Sequence, residues 1–343
     1  MKKSIFSALI VILCFSGCAS SAGKNKESGY TNVTVKIGQG TAWELNGILT
    51  LPKSAMPKGG FPAAVIVHGS GPGDMNGAAF AYKPYLDIAD YLSSKGIAVL
   101  RYNKRTLTHG AKMVEELGGA LTVMEETIED ALLASQLLKA DPRINENKVF
   151  MIGHSLGGML APRIQSEGLR QTPRTDFAGL ILLAGSPRFL LDISYDQNVD
   201  YIEHYMEGEE KAAALESLAA WDEQINIIVN LPDDTAQTIF IQSGLSAYYL
   251  KDLYYHPVTM YLDDVHVPLF VLQGSADFQV SPEKDFEAYK RLLAGRNNVT
   301  FKLYEGLNHM FIKSTTGYID EYEIPGSVDK QALADITRWI LSQ

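Results

Sequence analysis

The sequence predicts an α/β fold, a mostly parallel central sheet flanked by helices and interrupted by a helical insertion. Three observations predict it. From Val33 onward, short apolar runs alternate with helical stretches, the pattern of strands joined by crossover helices. The runs PAAVIV (62–67), GLILL (179–183) and PLFVL (268–272) read as buried strands. Between 186 and 264 the rhythm changes to a helical segment, rich in acid and tyrosine, without a convincing central strand.

The elements follow in order. Residues 33–37 and 45–51 read as an opening hairpin, and 52–60 as the loop after it. After the strand at 62–67 comes an amphipathic helix over 82–94, ended by Gly96, and then a strand at 97–102. A helix over 124–140 is stopped by Asp141-Pro142, because proline cannot continue the hydrogen-bond ladder. A strand at 148–152 leads into a helix over 156–167. Strands at 179–183, 268–272 and 299–304 complete the sheet, and a helix over 328–341 closes the chain.

The first residues read as a separate unit. Lys2 and Lys3 precede an apolar stretch, 5–15, too short to span a bilayer comfortably, which ends in Phe15-Ser16-Gly17-Cys18. That ending resembles the bacterial lipobox, with Phe15 where leucine is usual. The resemblance implies a signal peptide over 1–17, a lipid on Cys18 and a tether over 18–30 ahead of the folded domain at 31–343. The expectation is an exported protein, lipid-anchored at a bacterial envelope membrane. The alternative is an ordinary signal peptide cleaved near Ala19 or Ala22, with Cys18 incidental. Cys14 and Cys18 are the only cysteines, so no disulfide is expected downstream.

Gly153-His154-Ser155-Leu156-Gly157 matches G-x-S-x-G between a strand and a helix. A nucleophilic hydroxyl there sits on a sharp turn, and flanking glycines relieve the crowding. Serine needs a base to take its proton, and the base needs an acid to orient it. With this elbow the chain order is serine, acid, histidine. His309 is the only histidine after the strand at 299–304, and Asp277 lies just past the strand at 268–272. Glu283 and Asp285 are the fallback acids. The run His68-Gly69-Ser70-Gly71-Pro72-Gly73-Asp74 follows the strand at 62–67, where a loop of backbone donors to an oxyanion belongs. The expected donors are the N–H groups of Ser70 and Leu156, with Gly71 as the alternate for the first.

Together HGSGPGD, GHSLGG and the Asp277 and His309 loops resemble bacterial α/β-hydrolases of the esterase and serine-aminopeptidase-like group. Arg101-Tyr102-Asn103-Lys104-Arg105 resembles that group's RYDKRG segment, with Asn103 for Asp and Thr106 for Gly, so this loop is expected to be shaped differently. The resemblance implies the α/β-hydrolase fold, with the insertion at about 187–262 as a cap over the active site. It implies hydrolysis of carboxylic esters through an acyl-enzyme on Ser155. A peptidase acting on the amino end of short peptides is the alternative, since the site chemistry is shared. A lipoprotein that only binds a ligand is the remote third reading, and it has no need of the three residues together. No cofactor or metal is expected, because the seven histidines lack ligand spacing; no nucleic-acid partner is expected, because no basic patch exists. The membrane enters only through the lipid anchor.

The insertion holds thirteen Asp and Glu against three Lys and Arg, and eight tyrosines. A solvated helix face explains the acids, and so does a charged rim that attracts cations. The tyrosines fit either a half-buried face or a pocket lining.

Overall fold

The computed structural model describes residues 29–241 and 243–343. Eight strands form one sheet in the order β1-β2-β4-β3-β5-β6-β7-β8. They are β1 (Tyr30–Ile37), β2 (Leu45–Pro52), β3 (Phe61–Val67), β4 (Ala98–Tyr102), β5 (Ile144–His154), β6 (Leu180–Leu183), β7 (Leu269–Gly274) and β8 (Val299–Tyr304). The first hairpin pairs antiparallel, and β2 joins β4 antiparallel with Leu49 opposite Leu100. Every later pair is parallel, with Val65 opposite Met151 and His154 opposite Leu183. This is the expected α/β-hydrolase fold.

The two-residue period of a strand divides the sheet into two packed faces. Ala63, Val65 and Val67 of β3 pack with Leu100 and Met151 against α3 (Glu129–Ala140) and α4 (Leu156–Arg170). Ala64 and Ile66 pack with Phe150 and Ile152 against α1 (Pro84–Ser94) and α11 (Lys330–Ser342), where Ile88, Leu92, Leu333 and Ile336 are buried. With helices on both faces, the parallel strands carry near-continuous apolar text.

One helix, α2 (Arg105–Glu116), falls where no helix was expected; its text is mostly polar, and only Arg105 and Met113 of it are buried. Between β6 and β7 run α5 (Leu190–Tyr205), α6 (Gly208–Leu218), α7 (Trp221–Val229), α8 (Asp233–Ala236) and α9 (Ala247–Tyr255). The indole N–H of Trp221 donates to the Leu191 carbonyl at 3.1 Å, tying α7 to α5. The short α10 (Glu287–Leu292) follows β7.

Candidate active site

The strand β5 ends at His154, and Ser155 then turns the chain into α4 with φ 55° and ψ −118°. A side-chain-bearing residue rarely holds positive φ, and strain of this kind collects at functional sites. The glycines of the motif are what permit the turn. A Cβ on Gly153 would lie 2.4 Å from the Gly157 carbonyl oxygen, and one on Gly157 would lie 2.4 Å from that of Val67. The Ser155 N–H donates to the Leu183 carbonyl at 2.9 Å, anchoring the elbow to β6. Leu156 opens α4, where first-turn N–H groups have no acceptor within the helix.

Asp277 and His309 hang from loops after β7 and β8 and are both buried. His309 Nδ1 lies 2.8 Å from Asp277 Oδ2. The carboxylate is held from several sides: Oδ1 accepts the N–H groups of Gln279 and Val280, each at 2.9 Å, and Oδ2 also accepts the Gln273 side-chain amide at 2.7 Å. An acceptor-only carboxylate assigns the imidazole proton to Nδ1 and leaves Nε2 with its lone pair. The base loop is built on Asn308, fully buried, whose Oδ1 accepts the Met310 and Ile312 N–H groups at 3.0 and 3.1 Å. Its amide donates to Glu321, which also gathers Ser314, Thr315, Thr316 and Gly317. The two fallback acids lie elsewhere. Asp285 is buried against Ser186 and the Arg188 guanidinium at 2.7 and 2.9 Å, and exposed Glu283 accepts from Ser281 at 3.1 Å.

The loop after β3 passes directly over the serine. A Cβ on Gly69 would stand 3.1 Å from Ser155 Cβ and 3.6 Å from its Oγ, so any larger residue would press on the serine. Ser70 and Gly71 come next and line the same cavity as Ser155, Leu156 and His309. The loop is braced from below by the segment after β4. Lys104 Nζ donates to the Gly69 carbonyl at 2.8 Å, and its backbone N–H to that of Gly73 at 2.9 Å. Asn103 Oδ1 accepts the Met75 N–H at 3.0 Å, a bond the Asp usual at that place would also accept. His68 Nε2 donates to the Tyr102 carbonyl at 2.6 Å, and burial pushes the imidazole down to about 3, so it stays neutral. Lys104 is itself buried and pairs with buried Glu126, whose other oxygen accepts the Tyr249 hydroxyl from α9.

A second brace links all three loops and was not visible in the sequence. The Gly69 N–H donates to the Tyr85 hydroxyl at 3.4 Å, and that hydroxyl lies 3.0 Å from His154 Nδ1. His154 Nε2 lies 3.0 Å from the carbonyl oxygen of His309. Burial, then the neighbouring His309, push His154 down to about 3. A neutral ring that donates from Nε2 must accept at Nδ1, so Tyr85 donates there. We expect Tyr85→Phe, which strands that acceptor, to cost about 1–3 kcal/mol of stability and to lower kcat about tenfold. Chemical denaturation beside steady-state kinetics checks this, and an unchanged kcat would reduce the web to packing.

The cavity measures about 900 Å³ counted out to its open mouth. From the insertion, Leu190, Ile193, Ser194 and Gln197 of α5 line it. None of the thirteen acidic residues of the insertion does, and none of its eight tyrosines. The charged-rim reading therefore has no carboxylate at the wall of this cavity. Among the described residues, no group of three or more His, Cys, Asp or Glu is placed to hold a metal. Cys18 lies outside the described residues.

The chain matches the family described as alpha/beta hydrolase over residues 64–317. It is 36% identical over 302 residues to esterase EstD of Thermotoga maritima, an alignment covering 87% of this chain. The chain spans 65% of the length of that relative. Est1E from Butyrivibrio proteoclasticus superposes with a TM-score of 0.54 at 16% identity, over 90% of this chain and 99% of its own. A puromycin-hydrolysing peptidase of Mycobacterium tuberculosis superposes with a TM-score of 0.56 at 15% identity, over 94% of this chain and 40% of its own. At such identities the two structures speak for the fold alone.

Proposed function

The chain belongs to the alpha/beta hydrolase family, and on that premise we propose that it hydrolyses carboxylic esters through an acyl-enzyme on Ser155. Ser155 attacks the carbonyl while His309 Nε2 takes its proton, and Asp277 holds the imidazole and stabilises its charged form. The N–H groups of Ser70 and Leu156 receive the oxyanion, with Gly71 as the alternate for Ser70. His309 then protonates the departing alcohol, and water enters by the same route to release the acid. The observation that carries this reading is the His309–Asp277 pair at 2.8 Å in a cavity shared with Ser155 and the Gly69-Ser70 backbone.

The peptidase alternative meets a specific difficulty. An enzyme that grips the amino end of a peptide must hold an ammonium, and an unpaired charge in a desolvated site is costly. No carboxylate lines this cavity, whose wall is aliphatic, hydroxyl, amide and imidazole. A neutral ester suits it better. A panel of p-nitrophenyl esters set against aminoacyl-nitroanilides decides between the two: ester turnover with little or no anilide turnover is expected, and the reverse order contradicts the proposal.

The anchor is also a proposal, supported by Lys2, Lys3, the apolar stretch and FSGC in the sequence. A lipid on Cys18 places the enzyme on the membrane, and several acyl chains make such an anchor firm where one is marginal. Among the described residues no helix is long and apolar enough to cross a bilayer. Cys18→Ala is expected to abolish palmitate incorporation and to shift the enzyme out of the membrane fraction. A mature protein that begins at Ser20 or beyond and carries no lipid would overturn the anchor and leave the esterase reading untouched.

A further inference from the structure

One wall of the Ser155 cavity is thin. Met159 and Leu190 line it, and the same two residues line a second cavity, of about 610 Å³ counted the same way, on their other side. Met159 sits one helical turn beyond the nucleophile, its N–H bonded to the Ser155 carbonyl at 2.9 Å, and Leu190 opens α5. Both are buried, and the Met159 half of the wall can move: methionine turns about three bonds and fills or vacates irregular space readily.

The second cavity lies between α4 and the insertion, among Leu160, Phe189, Leu253, Tyr254, Val258 and Tyr261. Phe189 and Tyr254 meet edge to face at 5.4 Å. Two guanidinium groups stand at its border, and both are matched. Arg163 binds Asp252 through its two terminal nitrogens at 2.7 and 3.1 Å, while its buried Nε has no partner among the described residues, and Arg188 binds Asp285 and Asp196; the His256 imidazole, also in the lining, lies against Asp252. What remains for a ligand is mostly aliphatic and aromatic surface. An apolar chamber of this kind, one partition away from a reactive serine, has a natural occupant in the substrate itself.

We infer that the second cavity receives the apolar arm of the acyl group, alkyl or aryl, which enters past Leu190 as Met159 swings aside. This rests on the ester-hydrolysis reading. The side of the ester follows from the chemistry. The leaving alcohol takes its proton from His309 and so lies toward the base loop. No residue of the Asp277 or His309 loops lines the second cavity, which places it with the acyl arm.

The test compares p-nitrophenyl acetate, butyrate and octanoate, and separately acetates of alcohols of rising length, in the wild type and two variants. Val258→Trp, which fills the chamber, is expected to lower the octanoate-to-acetate ratio of kcat/KM about tenfold. Met159→Ala, which removes half the partition, is expected to raise that ratio severalfold. Equal ratios in both variants, with acetate still hydrolysed, would overturn the inference and leave the esterase reading standing. A shift confined to the alcohol series would overturn the acyl assignment. Absence of acetate hydrolysis in the wild type would instead bring down the esterase reading on which the inference rests.

Discussion

Ser155→Ala is expected to lower kcat on a p-nitrophenyl ester by about 10⁴–10⁶ while the protein stays folded. The serine is partly exposed at the head of α4 with φ 55°, so losing its hydroxyl opens no core cavity and removes no structural bond found for it. His309→Ala is expected to fall as far, and the double variant little further, because nucleophile and base act as one unit. Asp277→Asn tests the electrostatics separately. Asn keeps one oxygen for the Gln279 and Val280 N–H groups, but presents an NH₂ to His309 Nδ1, where Asp277 presents an acceptor at 2.8 Å. That forces the imidazole proton onto Nε2, the position that must receive a proton from serine. A loss of about 10⁴ follows from the wrong tautomer alone. Steady-state kinetics with circular dichroism on each variant checks the set, and a Ser155→Ala enzyme within tenfold of the wild type would remove the serine from the role.

Lys104→Met is expected to be the most destabilising single change near the site, by about 3–5 kcal/mol, because it leaves a buried carboxylate without its cation. Lys104 is 1% exposed and Glu126 4%, so water cannot take the place of the lost partner. The same substitution frees the Gly69 carbonyl, one residue before the Ser70 donor, and kcat should fall with stability. The double variant Lys104→Met/Glu126→Leu separates the effects. It removes the stranded charge, so most of the stability should return, since apolar replacement of a buried pair is often nearly neutral. The loop remains unbraced, so kcat should not return. Urea unfolding beside kcat reads both, and recovery of both would mean that Lys104 acts only by balancing Glu126.

What the sequence discloses here depends on how local the signal is. The strands were legible because β3, β6 and β7 are buried on both faces and spell near-continuous apolar runs. Ser155, Asp277 and His309 were legible from strand ends and chain order, and the structure brings Ser155 and His309 to one cavity with Asp277 on the imidazole. The supporting groups were not. Tyr85 reads as one more buried position of an amphipathic helix, yet its hydroxyl joins Gly69 to His154. His154 reads as the free position in G-x-S-x-G, and it carries the carbonyl of the base loop. Glu126 sits in acidic helical text that looks solvated, and only the fold brings it to Lys104 and Tyr249. The charge of the insertion left two readings open for a related reason: composition counts carboxylates, but it does not say which helix face meets the cavity. That face is Leu190, Ile193, Ser194 and Gln197.

The central claim is that one hydroxyl, on Ser155, carries the acyl group. Labelling with a fluorophosphonate, followed by mass spectrometry of the digested protein, tests it most directly. The account predicts one adduct, on the peptide holding Ser155, formed in step with loss of ester hydrolysis and greatly slowed in His309→Ala. An adduct on another residue, or hydrolysis that survives complete labelling of Ser155, would contradict it.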